Sequence, residues 1–123
     1  MTEAYDFFQQ GRTHLKGGMA AQATVALEKA KKLEPDKASI REALGIAYFR
    51  IQRWREAEAE FRAQLELSPA DDYAHYALGR ALEKKGRDAE ANGHYKLASS
   101  LSPGSEHYAR RIMELDREAE DEG

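Results

Sequence analysis

The feature that most constrains how this chain can fold is an internal spacing of 34 residues. The 123-residue sequence contains three prolines, and Pro35, Pro69 and Pro103 each lie 34 positions from the next. Four further columns share this spacing and phase: Gly11, Gly45 and Gly79; Ala23, Ala57 and Ala91; Leu27, Phe61 and Tyr95; Leu33, Leu67 and Leu101. Columns in phase predict a repeated structural unit, which must be identified before any local signal is interpreted.

Each unit predicts two helices. In the middle unit Ile40, Leu44 and Tyr48 lie at helical spacing, and Trp54 and Phe61 follow the same periodicity after a short break. The proline stops the second helix, because it offers no N–H and disfavours a helical conformation in the residue before it. The pattern therefore predicts an all-α fold of helix pairs.

The residues that connect the helices predict caps and bends. Asp36, Asp71 or Asp72, and Ser105 follow the three prolines and are candidate caps for the next helix. The outer units have glycine at the bend between their helices, in KGGM and KKGR. The middle unit has IQRW there and must turn without glycine.

The glycine column lies inside the first helix of each unit, where glycine costs roughly 1 kcal/mol relative to alanine. A cost repeated three times needs a repeated gain, and close approach of the paired helix provides one. We expect the alanine column to supply the small partners: Ala23, Ala57 and Ala91. A side chain placed at Gly45 should then wedge the two helices apart.

Composition excludes several classes of protein. The chain has no cysteine and a net charge of only −3, so neither disulfides nor a strong field for nucleic acid is expected. The N-terminal MTEAYDFFQQGR lacks the apolar core of a signal peptide, and no run approaches the roughly 18 apolar residues that span a bilayer. We expect a cytoplasmic protein without membrane insertion.

No motif predicts catalysis, a metal or a cofactor. The four histidines, His14, His75, His94 and His107, do not pair at the three- or four-residue spacing of helical metal ligands. No glycine-rich phosphate loop, nucleophile elbow or HExxH sequence is present. We predict that the protein is not an enzyme.

These columns resemble the tetratricopeptide repeat (TPR), a 34-residue helix–turn–helix unit with Leu-Gly, an aromatic residue, Ala, Phe and Pro at fixed positions. The middle unit matches best, with Leu44-Gly45, Tyr48, Ala57, Phe61 and Pro69. The resemblance implies a right-handed α-solenoid of seven helices. The expected repeats are approximately 4–37, 38–71 and 72–105, followed by a capping helix at about 105–119 and a frayed acidic tail at 120–123. In the capping helix Ile112, Met113 and Leu115 are expected to cover the end of the stack.

The resemblance also implies that the first helices line a concave groove that holds a peptide or partner helix. The candidate groove residues mix aromatic and charged side chains: Phe8, Arg12, Lys16, Glu42, Ile46, Phe49, Arg50, Tyr73, Tyr76, Arg80, Lys84 and Arg110. Tyrosine and arginine are enriched at binding hot spots. Two structural alternatives to partner binding remain. In one, the aromatic side chains pack between helices; in the other, Arg12 or Arg80 pairs with Glu42 or Glu83.

Co-chaperones of the resembled family clamp a C-terminal carboxylate with lysine, arginine and asparagine side chains. Here the corresponding positions hold Phe8, Arg12, Ala43, Tyr73 and Ala77. The clamp is therefore not expected.

The sequence favours a protein–protein interaction module, an adaptor or scaffold whose partner carries apolar anchors and an acidic group. Two alternatives remain. One is a structural self-assembler that forms homo-oligomers through the N-terminal repeat, with Tyr5, Phe7, Phe8 and Leu15 at the contact. The other is a small secretion or assembly chaperone.

Overall fold

A computed structural model describes residues 3–122 of the chain, and this part forms seven α-helices. Their bounds are α1 Glu3–Lys16, α2 Ala20–Leu33, α3 Ala38–Arg50, α4 Trp54–Leu67, α5 Asp72–Lys84, α6 Asp88–Leu101 and α7 Glu106–Glu122. As predicted, α2, α4 and α6 each end just before a proline, with one residue between the last helical residue and the proline. Helix pairs α1–α2, α3–α4 and α5–α6 pack most closely, and each pair packs on the next.

The core consists of two clusters that meet at the middle repeat. One lies between the first and second repeats, and its members include Leu27 and Leu44. The other continues through the third repeat to α7, with Phe61 and Tyr95 fully buried. Tyr48 packs against both clusters, so this predicted aromatic position joins the two halves of the stack.

The glycine column lies where helices approach most closely. A Cβ at Gly45 would lie 2.5 Å from Phe61 Cε1, and one at Gly79 would lie 2.5 Å from Tyr95 Cε1. The prediction that a side chain here would wedge the pair apart is therefore confirmed. The expected partner was wrong, because the glycines face the large column of Leu27, Phe61 and Tyr95 and not the alanines. The absent Cβ makes room for a ring.

The three bends share one backbone conformation. Gly18 and Gly86 have φ of 74° and 77°, and Gln52 has φ of 65° at the equivalent position of the middle repeat. This left-handed region is costly for any residue with a side chain. The middle repeat therefore makes the same turn as the others, with strain at Gln52.

The helix starts differ from one another. The Asp71 side chain accepts a bond from the Ala74 N–H at 3.1 Å and caps α5. Helix α3 begins after Lys37 without a side-chain cap, so the expectation for Asp36 was wrong. Ser105 Oγ accepts a longer bond, 3.4 Å, from the Tyr108 N–H at the start of α7.

The capping helix differs from expectation in two ways. Leu115 is buried and Ile112 packs on the core, but Met113 is 60% exposed and does not cover the stack. Helix α7 also continues to Glu122, so the expected frayed tail is helical within the described residues. Its glutamate, alanine and arginine residues have high helix propensity, which favours this extension. No helix of the described chain has the length and apolar character needed to cross a membrane.

Candidate binding groove

Three pockets follow one another along the face formed by α1, α3, α5 and α7. The first, of about 390 Å³, lies between α1 and α3; the central, of about 280 Å³, lies between α3 and α5; the cap pocket, of about 450 Å³, lies between α5 and α7. Ile46 lines the first and central pockets, and Tyr76 and Arg80 line the central and cap pockets. The three pockets thus form one continuous groove.

The central pocket is largely apolar and has two arginines, Arg50 and Arg80, in its lining. Ile46, Phe49 and Ala77 supply apolar surface, while Tyr73 is 40% exposed beside them. Phe49 is held edge-on by Trp54, with ring centroids 4.9 Å apart. The pocket is therefore built on rigid aromatic packing.

Tyr76 lines the groove but belongs mainly to the core. It is only 8% exposed, and its ring lies 5.4 Å from Tyr95 and 5.2 Å from Tyr108. Its hydroxyl lies 2.6 Å from His107 Nε2. Removal of Tyr76 would therefore disturb the joint between α5 and α7 as well as the groove surface.

The groove arginines have no acidic partner. Arg12 lies over the Phe8 ring at 5.6 Å, and Arg80 lies over the Phe49 ring at 5.4 Å. Arg50 donates to the Leu15 carbonyl at 3.0 Å. Within residues 3–122 none of these three forms an ion pair. No carboxylate of the described residues lies at ion-pair distance from these arginines, although the charge of Arg80 contributes to lowering the pKa of Glu83.

The acids that could have neutralised those arginines are engaged elsewhere. Glu42 accepts a bond of 2.9 Å from Gln64, and partial burial together with nearby Asp71 raises the pKa of Glu42. Glu83 pairs with Arg111 and accepts from the Tyr95 hydroxyl. Although partial burial opposes it, bonding to Arg111 and Tyr95 lowers the pKa of Glu83. The alternative that Arg12 or Arg80 pairs with these acids is not what the structure shows.

The structure brings together eleven of the twelve predicted groove residues. The first pocket holds Phe8, Arg12, Lys16, Glu42 and Ile46; the central pocket adds Phe49, Arg50, Tyr73, Tyr76 and Arg80; the cap pocket adds Lys84. Arg110 is exposed on α7 outside these three pockets, and Arg111 lines the cap pocket in its place. Their role in binding stays a prediction.

The four residues predicted for self-association lie on different parts of the α1 surface. Phe8 and Leu15 line the first pocket, and Phe7 lies beneath Lys29 at 5.5 Å from its ammonium nitrogen. Tyr5 is 53% exposed, and its hydroxyl accepts a bond from Gln9. No observation here favours self-association over groove binding, and it stays a prediction.

Two polar arrangements were missed by sequence reasoning. Gln64, at a position where the other repeats have alanine, donates to both Glu42 and Asp71 from a buried site. His75 and His94 meet across α5 and α6. Both involve residues that are far apart in sequence, so spacing along one helix gives no signal. Among residues 3–122 no group of three or more His, Cys, Asp or Glu side chains is placed to hold a metal ion.

Solved structures show the same architecture. The first TPR domain of Spaghetti (RPAP3), bound to an HSP90 peptide SRMEEVD, aligns with a TM-score of 0.90 at 19% identity over 95% of this chain and 93% of that chain. MamA from Desulfovibrio magneticus aligns with a TM-score of 0.92 at 21% identity over 96% of this chain and 67% of that chain. The fold is thus a TPR solenoid of three helix pairs and a cap, which confirms the sequence prediction.

The chain belongs to the family described as bacterial transcriptional activator domain (BTAD), whose model matches residues 1–104. It is also 30% identical over 91 residues, 74% of its length, to Superkiller complex protein 3 of Mus musculus. This chain spans only 6% of the length of that relative.

Proposed function

We propose that this chain is a protein-interaction module that binds a peptide segment of a partner along the α1–α3–α5–α7 groove. The observation that carries the proposal is the central pocket, where an apolar floor lies beside Arg50 and Arg80, neither of which forms an ion pair within residues 3–122. Such a site fits one bulky apolar side chain flanked by carboxylates. No catalytic step is proposed.

Charge supports an acidic partner. The groove presents Arg12, Lys16, Arg50, Arg80 and Lys84, although the whole chain has a net charge of −3. Of the acids along the same groove, Glu83 and Glu114 are both paired with Arg111. Complementary charge steers association and selects partners.

A structural neighbour of the same fold is bound to an HSP90 peptide, which supports peptide binding as the activity to test for this chain. The groove chemistry differs from a carboxylate clamp, since Tyr73 and Ala77 of the central pocket occupy positions where the clamp has basic side chains. We therefore propose recognition of an internal segment with an apolar anchor. The family description names transcriptional activation, so regulators of transcription are the first partners to test.

The test is capture of partners by matched variants, followed by titration of a synthetic peptide. Tyr73→Ala combined with Arg80→Ala removes one pocket wall and one cation while leaving the buried Tyr76 in place. Arg55→Ala is the control, since Arg55 is exposed on α4 and lines none of the three groove pockets. We expect the double variant to lose at least about tenfold in affinity, because hot-spot residues dominate binding, whereas the control stays near wild type.

Salt provides a second measurement on the same peptide. Affinity should fall between low and high ionic strength, because salt screens attraction between exposed charges. Far-UV circular dichroism checks that each variant remains helical. A folded double variant that retains every captured partner would refute binding in the groove.

A further inference from the structure

Two histidines that are 19 residues apart meet across the third repeat. His75 on α5 and His94 on α6 place their Nδ1 atoms 3.2 Å from each other. Both side chains are half-buried. Neither takes part in the groove pockets, so this contact has no role in the proposed peptide site.

The rings meet edge to edge and not face to face. Their planes are inclined by 22° and their centroids lie 5.4 Å apart. The centroid separation is close to the Nδ1–Nδ1 distance plus one ring radius for each imidazole. The two Nδ1 atoms therefore lie near the line between the centroids and point at each other. A distance of 3.2 Å with this alignment is a hydrogen bond that needs one proton between the two nitrogens.

The opposite side of His75 determines where that proton lies. His75 Nε2 is 3.0 Å from the carbonyl oxygen of Pro69, at the turn between α4 and α5. A carbonyl only accepts, so Nε2 of His75 carries a hydrogen. In the neutral ring Nδ1 of His75 is then the acceptor, and Nδ1 of His94 is the donor.

The two possible added protons have different effects. A proton on Nε2 of His94 would leave the bond between the Nδ1 atoms in place, but it would put a cation near Arg62 of α4, with Glu90 of α6 acting in the opposite direction. A proton on Nδ1 of His75 as well would set two N–H groups against each other and remove the bond. Burial, together with His75 and Arg62, lowers the pKa of His94.

We propose that His75 and His94 form a proton-operated latch that joins α5 to α6 and to the Pro69 turn while one proton lies between the two Nδ1 atoms, and that mild acid releases it by charging both rings. His94 takes up its proton at lower pH in the folded chain than in the unfolded chain, in which histidine titrates near pH 6.5. Unfolding therefore takes up protons, and stability is lost as pH falls below about 6.5. Because α5 also carries Tyr73 and Arg80, an effect of the latch on peptide binding would rest on the proposed function.

The first test reads the protons directly and does not depend on any partner. Nuclear magnetic resonance of the ring nitrogens in the wild-type chain at about pH 7.5 should show His75 protonated at Nε2 and His94 protonated at Nδ1. His94 should titrate below the ordinary value of about 6.5. His94 protonated only at Nε2 at neutral pH, or a titration of His94 at about 6.5, would overturn the latch.

The second test compares thermal unfolding at about pH 7.5 and about pH 5.5. The wild type should lose about 4 °C more in Tm than His75→Phe combined with His94→Phe, which removes both titrating rings and keeps aromatic surface. Equal losses in wild type and double variant would refute the latch, and the resonance test stands even if the double variant fails to fold.

Discussion

The third repeat differs from the first two because it combines a side-chain cap, a glycine at its bend and neighbouring helices on both sides. Helix α5 starts at the Asp71 cap, its pair bends at Gly86, and α7 covers it, so that Tyr76, Leu78 and Leu82 are buried. Helix α1 has neighbours on one side only and buries just Ala4 and Gly11. The second repeat starts without a side-chain cap and bends at Gln52.

This comparison shows that a shared repeat pattern does not give equal stability to each unit. Stability in a stacked array is the sum of the stabilities of each unit and of its interfaces with neighbours. The third repeat has interfaces on both sides and a buried Tyr95 whose hydroxyl is bonded to Glu83. The first has one interface and should open at lower free energy.

The largest expected effect comes from adding a methyl group at the close helix contact of the third repeat. Gly79→Ala should lower the free energy of unfolding by about 2 kcal/mol, because the new Cβ would meet three ring atoms of Tyr95 within 2.9 Å. Gly11→Ala should cost about half as much, roughly 1 kcal/mol, since Leu27 can change rotamer and α1 can shift outwards. Denaturant unfolding of the two variants measures the difference.

Gly93→Ala is the matched control for both substitutions. Gly93 lies within α6, and a Cβ there would have no neighbour within 4 Å. It should therefore raise stability by about 0.5–1 kcal/mol through helix propensity alone. Equal costs at Gly79 and Gly11 would show that the end of the stack is as rigid as its centre.

The sequence predicted the parts of the fold that repeat. Prolines, glycines and large apolar columns act within one helix or one pair, so their spacing locates the helices, while the groove followed from the resemblance to the TPR family. It also predicted that Gly45 admits no side chain, although it assigned the wrong partner. The alanine column and the column of Leu27, Phe61 and Tyr95 both repeat every 34 residues. Which of the two faces the glycines depends on how the paired helices are rotated relative to each other, and the sequence does not show this rotation.

The remaining features of the structure depend on contacts between helices, and the 34-residue spacing does not predict these contacts. Arg110 and Arg111 are neighbours on α7, and only the packing of that helix shows that Arg111 reaches Glu83. The same holds for Tyr76, which lines the central and cap pockets but is buried by His107 and Tyr108 on the cap. The contact between His75 and His94 likewise depends on how α5 packs against α6.

A smaller effect separates the two helix starts that follow Pro35 and Pro69. Asp71→Ala should cost about 1–2 kcal/mol, because it removes the cap of α5 and one of the two acceptors of the buried Gln64. Asp36→Ala should change stability by less than about 0.5 kcal/mol, since α3 starts at Lys37 without a side-chain cap. Thermal unfolding of both variants at neutral pH tests this difference, which would disappear if Asp36 caps α3 in solution.

The smallest expected effect repairs the bend of the second repeat. Gln52 has φ of 65°, and the equivalent residues of the other repeats are glycine at 74° and 77°. Gln52→Gly should relieve that strain and raise the free energy of unfolding by about 0.5–1 kcal/mol, with the entropy of the added glycine in the unfolded chain setting the upper limit. Gly86→Ala, the reverse change at the matching bend, should lower stability by a similar amount although a Cβ there would meet nothing within 4 Å. Opposite signs in the two unfolding curves would show that backbone conformation controls both bends, whereas a loss of stability in Gln52→Gly would mean that the glutamine side chain contributes more than its strained backbone costs.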